Sequence, residues 1–307
     1  MPRPALAITG GTGFVGRHTL DAALAHGAIV RALTRRPQPP REGIEWISGG
    51  LDDERALAEL VAGADAVIHI AGVTNAPDAA GFIAGNVAGT ANIRRAAAGL
   101  PFVHVSSLAA REPQLSLYGD SKRRAEDAAA AGSGLWTIVR PPAVYGPGDT
   151  ELLALFRAVR MGVVPLPAGT RASFIHVADL AAALVALAGD LGTNARTAGK
   201  LFEIDDGSGG YGQDHLARAI AGAMQRPVRV LPVPRAMLRV GAAIDTTAAR
   251  IARRMPKLSF DRARYLAHPD WTADVAPLLS LGLWQPEKTL DAGLADTVEW
   301  YRGQGWL

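Results

Sequence analysis

The chain has 307 residues, no cysteine and a formal net charge of +3, with a sequence pI near 9.4. Those values exclude disulfides, thiolate metal sites and a cysteine nucleophile, and they carry too little positive charge to argue for nucleic acid. Hydrophobic residues make up 49%, enough for a sizeable core, yet no run approaches the roughly 18 apolar residues of a membrane span. The length exceeds a single nucleotide-binding unit, so one large domain with a smaller appended one is expected.

Met1-Pro2-Arg3-Pro4 leads directly into an apolar run, Ala5–Thr9, that reads as a strand and leaves no room for a secretion signal. A cytoplasmic protein is expected. Gly10-Gly11-Thr12-Gly13-Phe14-Val15-Gly16 follows, and helical spacing then runs over Phe14–His26. Glycines at 10, 13 and 16 between a strand and a helix form a corner that grips the phosphates of a dinucleotide. Gly10 permits the tight turn, Gly13 lets the backbone approach the pyrophosphate, and Gly16 lets the helix pack on the strand. The helix N-terminus adds amide N–H groups and partial positive charge. Gly10, Thr12, Gly13, Phe14, Val15 and Gly16 are the candidate contacts.

The next strand, Ile29–Leu33, ends at Thr34-Arg35-Arg36, where the adenosine ribose would lie. No carboxylate stands there to accept hydrogen bonds from both ribose hydroxyls and favour NAD. Two guanidinium groups suit a 2′-phosphate through charge-assisted bidentate bonds, so NADP(H) is expected over NAD(H), with Thr34, Arg35 and Arg36 as contacts. Strand-like segments continue at Ile44–Ser48, Ala66–Ile70, Phe102–Ser106 and Trp136–Val139, and helical spacing at Glu54–Ala62, Gly81–Ala98 and Tyr118–Ala131. Short apolar strands separated by helices imply an α/β fold. It is a Rossmann-type doubly wound parallel sheet with ligands at the carboxyl ends of the strands.

The fifth strand ends Val105-Ser106-Ser107, and Ser107 is the candidate to hydrogen-bond a reacting carbonyl or alcohol, with Ser106 turned toward the core. Tyr118-Gly119-Asp120-Ser121-Lys122 opens the next helix, and residues four apart share one face. A phenol with a pKa of about 10 is a poor base at neutral pH. A neighbouring ammonium would lower that pKa and can also hold a nicotinamide ribose. After Tyr145 the alternation loosens at Gly146-Pro147-Gly148. Residues 1–145 plus about 174–190 are expected to form the dinucleotide-binding domain, and about 146–173 and 191–307 a smaller C-terminal substrate-binding lobe. Leu201–Ile204 and Val228–Val230 read as isolated strands there.

Pro234–Pro256 reads as a helix with apolar Met237, Leu238, Val240, Ile244 and Ile251 beside Arg235, Arg239, Arg250, Arg253 and Arg254. The expectation is a lobe helix with one buried face and a solvated basic edge; contact with a membrane surface or an acidic substrate is the alternative. Trp271, Trp284, Trp300 and Trp306 are expected to pack the tail onto the body.

Taken together, the motifs resemble the extended short-chain dehydrogenase/reductase family, of the NAD(P)-dependent epimerase/dehydratase type. They are TGGTGFVG at 9–16, AVIHIAG at 66–72, NVAGTAN at 86–92, VSS at 105–107, YGDSK at 118–122, RPPAVYGPGD at 140–149 and FIHVADLA at 174–181. The likeness spans most of residues 5–181 in the family's order and weakens beyond 190. It implies an oxidoreductase moving a hydride between nicotinamide and a carbonyl or secondary alcohol. Tyr118 would be the general acid/base, Lys122 its pKa modulator and ribose ligand, and Ser107 the hydroxyl partner of the substrate. Asn86 would join the proton relay or steady the active-site helix. Pro141 and Val144 would bound the segment meeting the nicotinamide carboxamide, and Ala71 and Gly72 would line the cofactor. His176 and Asp179 would pack and cap the later helix. A homodimer through the helices around 81–98 and 118–131 follows by family analogy alone.

Two departures qualify the resemblance. Gly49-Gly50 stands where many relatives have an adenine-contacting aspartate, leaving the Leu51 backbone as the contact and Asp52 or Asp53 as the cap of the next helix. Ser107 and Tyr118 are only eleven positions apart, which shortens the wall that nucleotide-sugar enzymes of the family use. A nucleotide-sugar epimerase or dehydratase with internal hydride recycling, and a non-catalytic NADP(H)-binding sensor or assembly protein, are the alternatives.

Overall fold

The structure is a computed structural model that describes residues 3–252 and 258–307. Its first half alternates as β1 (Ala5–Thr9), α1 (Phe14–Ala25), β2 (Ile29–Thr34), β3 (Ile44–Ser48), α2 (Glu54–Val61) and β4 (Ala66–His69). A helical stretch follows in three pieces, α3 (Ala79–Phe82), a π-helical turn Ile83–Ala88 and α4 (Gly89–Ala96). Then come β5 (Phe102–Val105), α5 (Leu117–Ala130) and β6 (Trp136–Arg140). Of the two candidate caps, Asp53 is the one that starts α2, its carboxylate accepting from the Ala56 N–H at 3.0 Å.

The second half contains β7 (Ala143–Tyr145), α6 (Leu153–Arg160), β8 (Val163–Pro167), β9 (Arg171–Ala172), β10 (Phe174–His176), α7 (Val177–Thr193) and β11 (Lys200–Glu203). It ends with β12 (Tyr211–Gly212), α8 (Gln213–Met224), β13 (Arg229–Val233), α9 (Arg235–Ile251), α10 (Phe260–Ala267), β14 (Asp270–Trp271), α11 (Ala276–Leu279) and α12 (Leu290–Gly303).

Seven parallel strands form the main sheet in the order β3-β2-β1-β4-β5-β6-β11. The strand order reverses between β1 and β4, which opens a crevice at their carboxyl ends. Apolar side chains of α1 and α7, among them Leu20, Leu184 and Leu187, cover one face of the sheet. Leu57, Leu60, Ile93 and Ala129 from α2, α4 and α5 cover the other. A separate core joins Tyr145, Phe156, Leu216, Ile220, Leu294 and Tyr301 around α6, α8 and α12.

Three expectations are corrected here. The segment expected as an isolated strand at Leu201–Ile204 is β11, which pairs in parallel with β6 and completes the main sheet. The strand expected at Val228–Val230 is β13, paired with β8. In both cases the partner strand lies about sixty residues away, beyond the reach of local patterning. Finally, α9 does not bury its large apolar stripe. It seats Ala242 and Ala249 inward, at 0% and 1% exposure, and leaves Met237, Val240, Ile244 and Ile251 at 60%, 59%, 66% and 81%. Arg253, Arg254 and Pro256 of that segment lie outside the described residues.

The tryptophans divide by place. Trp300 and Trp306 pack edge-on at 5.0 Å in the second core, and Trp284 packs on the main core. Trp271 stacks on Tyr265 at 4.5 Å.

Candidate active site

The glycine corner is closed to side chains. Gly10 has φ +78°, and a Cβ there would lie 2.6 Å from the Ala71 amide nitrogen. A Cβ at Gly16 would collide with the Gly10 carbonyl oxygen, so α1 could not approach β1 as it does. Gly13 is exposed at the N-cap of α1, where the first helical amides have no intrahelical partner. Thr12, Phe14 and Val15 surround it half-buried. Across the crevice, a Cβ at the exposed Gly72 would lie 3.1 Å from Asn86 Oδ1 and 3.7 Å from Lys122 Nζ. This backbone-lined cradle with free helix-terminal amides fits a dinucleotide. At the end of β2, Thr34 donates to the Arg36 carbonyl at 2.6 Å and shapes the turn. The Arg35 and Arg36 side chains are exposed, with no ion pair among the described residues. Leu51 packs beneath Gly89, and its carbonyl accepts from Asn92 at 2.9 Å.

Ser107, Tyr118 and Lys122 converge where β5 meets α5. Ser107 Oγ accepts from the Ala109 N–H at 3.2 Å, starting the short turn Leu108–Arg111, and lies close enough to the Tyr118 phenol to favour its ionised form. Gly119 lets that connector close on α5, since a Cβ there would meet the Ala109 carbonyl oxygen at 2.7 Å. Lys122 is buried and donates to the Val105 carbonyl at 2.8 Å. Desolvation pulls its pKa down to about 8, while the Glu126 carboxylate works to raise it. The Tyr118 phenol moves opposite to expectation. Burial raises its pKa, with only the nearby Ser107 hydroxyl acting against that. The ammonium that was expected to lower it is engaged with Val105. Tyr118 is therefore a protonated group at neutral pH, a proton donor first.

Asn86 sits in the π-helical turn with both ends of its amide used. Its Oδ1 accepts from the Val73 N–H at 2.6 Å, and its Nδ2 donates to the Val73 carbonyl at 3.0 Å and to Ser121 Oγ at 2.8 Å. Those bonds brace the segment after β4 against α5. Such turns recur at functional sites.

Beside the tyrosine lies an apolar cavity of about 380 Å³, lined by Leu108, Leu155, Phe174, Leu238, Tyr265 and Trp271 among others. Leu108 directly follows Ser107, and Tyr265 is near enough to Tyr118 for the two phenols to raise the ionisation cost at Tyr265.

Residues 6–197 match the NAD dependent epimerase/dehydratase family. The chain belongs to that family. It is 40% identical over 314 residues to the ceramide reductase of Caulobacter vibrioides, covering 99% of this chain and 96% of that one. It is 32% identical over 231 residues to the 4-hydroxy-2-methyl-3-oxo-4-farnesyl-3,4-dihydroquinoline-1-oxide ketoreductase of Stigmatella aurantiaca, covering 66% of this chain and 68% of that one. Among solved structures, the Bordetella bronchiseptica enzyme WbmG in complex with NAD and UDP has a TM-score of 0.75 at 17% identity, over 100% of this chain and 97% of that one, a likeness of fold. The protein is thus an NAD(P)-binding oxidoreductase of the epimerase/dehydratase family.

Other family motif residues serve as structure. His176 caps α7, its Nδ1 accepting from the Ala178 N–H at 3.3 Å. Asp179 does not cap that helix. Already inside its first turn, it accepts from the Glu287 and Lys288 amides at 3.1 and 3.0 Å and ties the C-terminal chain to α7. The Pro141 carbonyl accepts from the Leu108 N–H at 2.8 Å, and Val144 pairs with Ile175 between β7 and β10.

A buried ion pair was missed. Arg140 holds Glu126 through Nε and Nη2, each at 2.7 Å, and Ser106, turned inward as expected, donates to the same carboxylate at 2.5 Å. The signal was available, because Tyr118, Lys122 and Glu126 follow at steps of four along one face of α5. Behind Lys122, His69 is held by Thr9 at 2.6 Å and Thr90 at 2.9 Å, and burial lowers its pKa to about 3.

Proposed function

We propose that the protein is an NADPH-dependent reductase of a ketone carried by a long-chain, ceramide-like lipid. The observation that carries this reading is the apolar cavity beside Tyr118, and the whole-length similarity to a ceramide reductase supports it. An amide carbonyl is too resonance-stabilised for a dihydronicotinamide to reduce, so the reacting group on such a lipid is a ketone. The alternative of a nucleotide-sugar substrate loses ground on a cavity walled by leucine, proline and aromatic side chains.

A bound nicotinamide would supply the hydride to the carbonyl carbon. Ser107 and Tyr118 would both hydrogen-bond the carbonyl oxygen, and Tyr118, a phenol protonated at neutral pH and kept so by burial, would deliver its proton there. Lys122, still charged at neutral pH, would steady the resulting phenolate and the ribose hydroxyls. Asn86 and the Glu126–Arg140 pair would hold α5 in place. Gly10, Thr12, Gly13, Phe14, Val15 and Gly16 would cradle the pyrophosphate, Arg35 and Arg36 the 2′-phosphate, Leu51 the adenine, and Ala71, Gly72, Pro141 and Val144 the nicotinamide side. The main sheet with α7 would be the cofactor domain, and the elements around the cavity the substrate lobe.

The test is NADPH oxidation in the presence of a detergent-solubilised long-chain ketolipid, after denaturing an aliquot to identify any retained nucleotide. The expected result is an empty or freely exchanging site, turnover with the ketolipid and preference for NADPH that Arg35→Ala with Arg36→Ala removes. Tyr118→Phe should lower turnover by about 10²–10⁴-fold with NADPH affinity nearly unchanged. A stoichiometric, non-exchanging nucleotide without ketolipid turnover would overturn the reading in favour of internal hydride recycling.

A further inference from the structure

We infer that α9 docks the protein onto an anionic phospholipid surface and that its lipid substrate passes from that surface into the adjoining cavity. The second clause rests on the lipid-ketone reading; the first does not.

The helix carries two stripes. Leu238, Ala242, Asp245 and Ala249 repeat at heptad spacing and face inward, with Leu238 half-buried at the cavity wall. Met237, Val240, Ile244 and Ile251 also repeat at steps of three, four and seven, and all four are more than half exposed. Large aliphatic groups aligned on one solvent-facing stripe mark an interaction surface rather than scattered exposure. The chain on either side continues the pattern. Leu231 on β13, just before the helix, is 40% exposed, and Phe260 at the start of α10 is 51% exposed.

The charge decides among occupants. The sequence of α9 carries three arginines (Arg235, Arg239, Arg250) against one acid, Asp245. Asp245 accepts from the Leu258 N–H at 2.7 Å. A second copy of α9 would bury the aliphatic stripe but bring like charges together. A bilayer bearing anionic headgroups takes both the stripe and the arginines, which is how amphipathic helices bind interfaces. No helix among the described residues is long and apolar enough to cross a membrane, so the helix would lie on the surface. Leu238 on α9 and Leu258 just after it both line the cavity, so the helix that docks also forms part of the cavity wall.

The experiment is co-sedimentation of the full chain with vesicles of phosphatidylglycerol and phosphatidylcholine, against vesicles of phosphatidylcholine alone. Expected is at least about tenfold stronger partitioning to the anionic vesicles, weakened by salt. Arg239→Gln should reduce it roughly fivefold. Val240→Gln with Ile244→Gln should abolish it while thermal melting and reduction of a short, water-soluble ketone stay unchanged. Equal partitioning to both vesicles, none to either, or normal binding by the double variant would overturn the docking. So would sedimentation showing a dimer that the double variant loses. Reduction of ketolipid in detergent without vesicle binding would remove the docking and leave the reductase standing. Vesicle binding without ketolipid reduction in either medium would do the reverse.

Discussion

Around α5, four buried polar side chains are each held at 2.8 Å or less: Lys122 by Val105, Asn86 by Val73, and Ser106 and Arg140 by Glu126. The cavity lined by Leu108 and Tyr265 holds leucine, proline and aromatic side chains, and its Ser173 is turned away to Asp205 at 2.6 Å. Proton transfer needs atoms fixed in direction, so the crevice is specified by hydrogen bonds whose loss strands a buried charge. An acyl chain needs volume and has no directional group to satisfy, so the cavity is specified by size. Damage should therefore be abrupt in the first region and graded in the second.

The sharpest test of that contrast is Glu126→Gln. It leaves the Arg140 guanidinium buried beside a neutral amide, with Glu203 at 4.0 Å as its remaining counter-charge, and breaking such a pair costs up to about 3–5 kcal/mol. Calorimetry should show a large fall in melting temperature, partly recovered when Arg140→Met is added. A single variant as stable as the wild type would mean that water reaches the pair and that the crevice is less rigid than its distances imply. On the cavity side, Leu155→Trp should fill space that the chain of a lipid occupies. Excluding two or three methylenes at ~0.8 kcal/mol each lowers kcat/KM for a long-chain ketone about 15–60-fold, leaving NADPH affinity and a short ketone unaffected. Equal losses for both ketones would show that the cavity does not take the chain.

The same contrast explains what could be read from the residues alone. Gly10 and Gly16 were legible because backbone geometry admits no side chain there, Gly13 because it follows in the same short motif, and Tyr118 and Lys122 because a spacing of four sets one helix face. Local rules of this kind act over a few residues. The partner of β11 was not legible, because Lys200 pairs with Thr137 across the whole of α6 to α7. Nor was the orientation of α9, where two apolar stripes share one heptad and only the cavity decides which turns inward. The direction of the Tyr118 shift failed for a related reason. Burial sets that direction, and Tyr118 lies near Tyr265 on α10, an element that local spacing cannot bring to α5.

Lys122 offers the smallest effect and the finest reading of the crevice. Its ammonium titrates near 8 in the folded chain and near 10.5 when unfolded, because burial penalises the charge more than Glu126 restores it. Between those values the unfolded state binds more protons, so stability rises with pH; the penalty is full below 8 and gone above 10.5. From pH 7.5 to 9 the gain should be about 1 kcal/mol relative to Lys122→Met, measured by urea unfolding of the cofactor-free protein. A loss of stability over the same interval would reverse the assignment. Glu126 would then outweigh desolvation, and the crevice would hold a settled cation before any cofactor arrives. A gain of the expected sign means instead that the charge is strained in the free protein, and that ribose hydroxyls accepting from the ammonium would relieve the strain on binding.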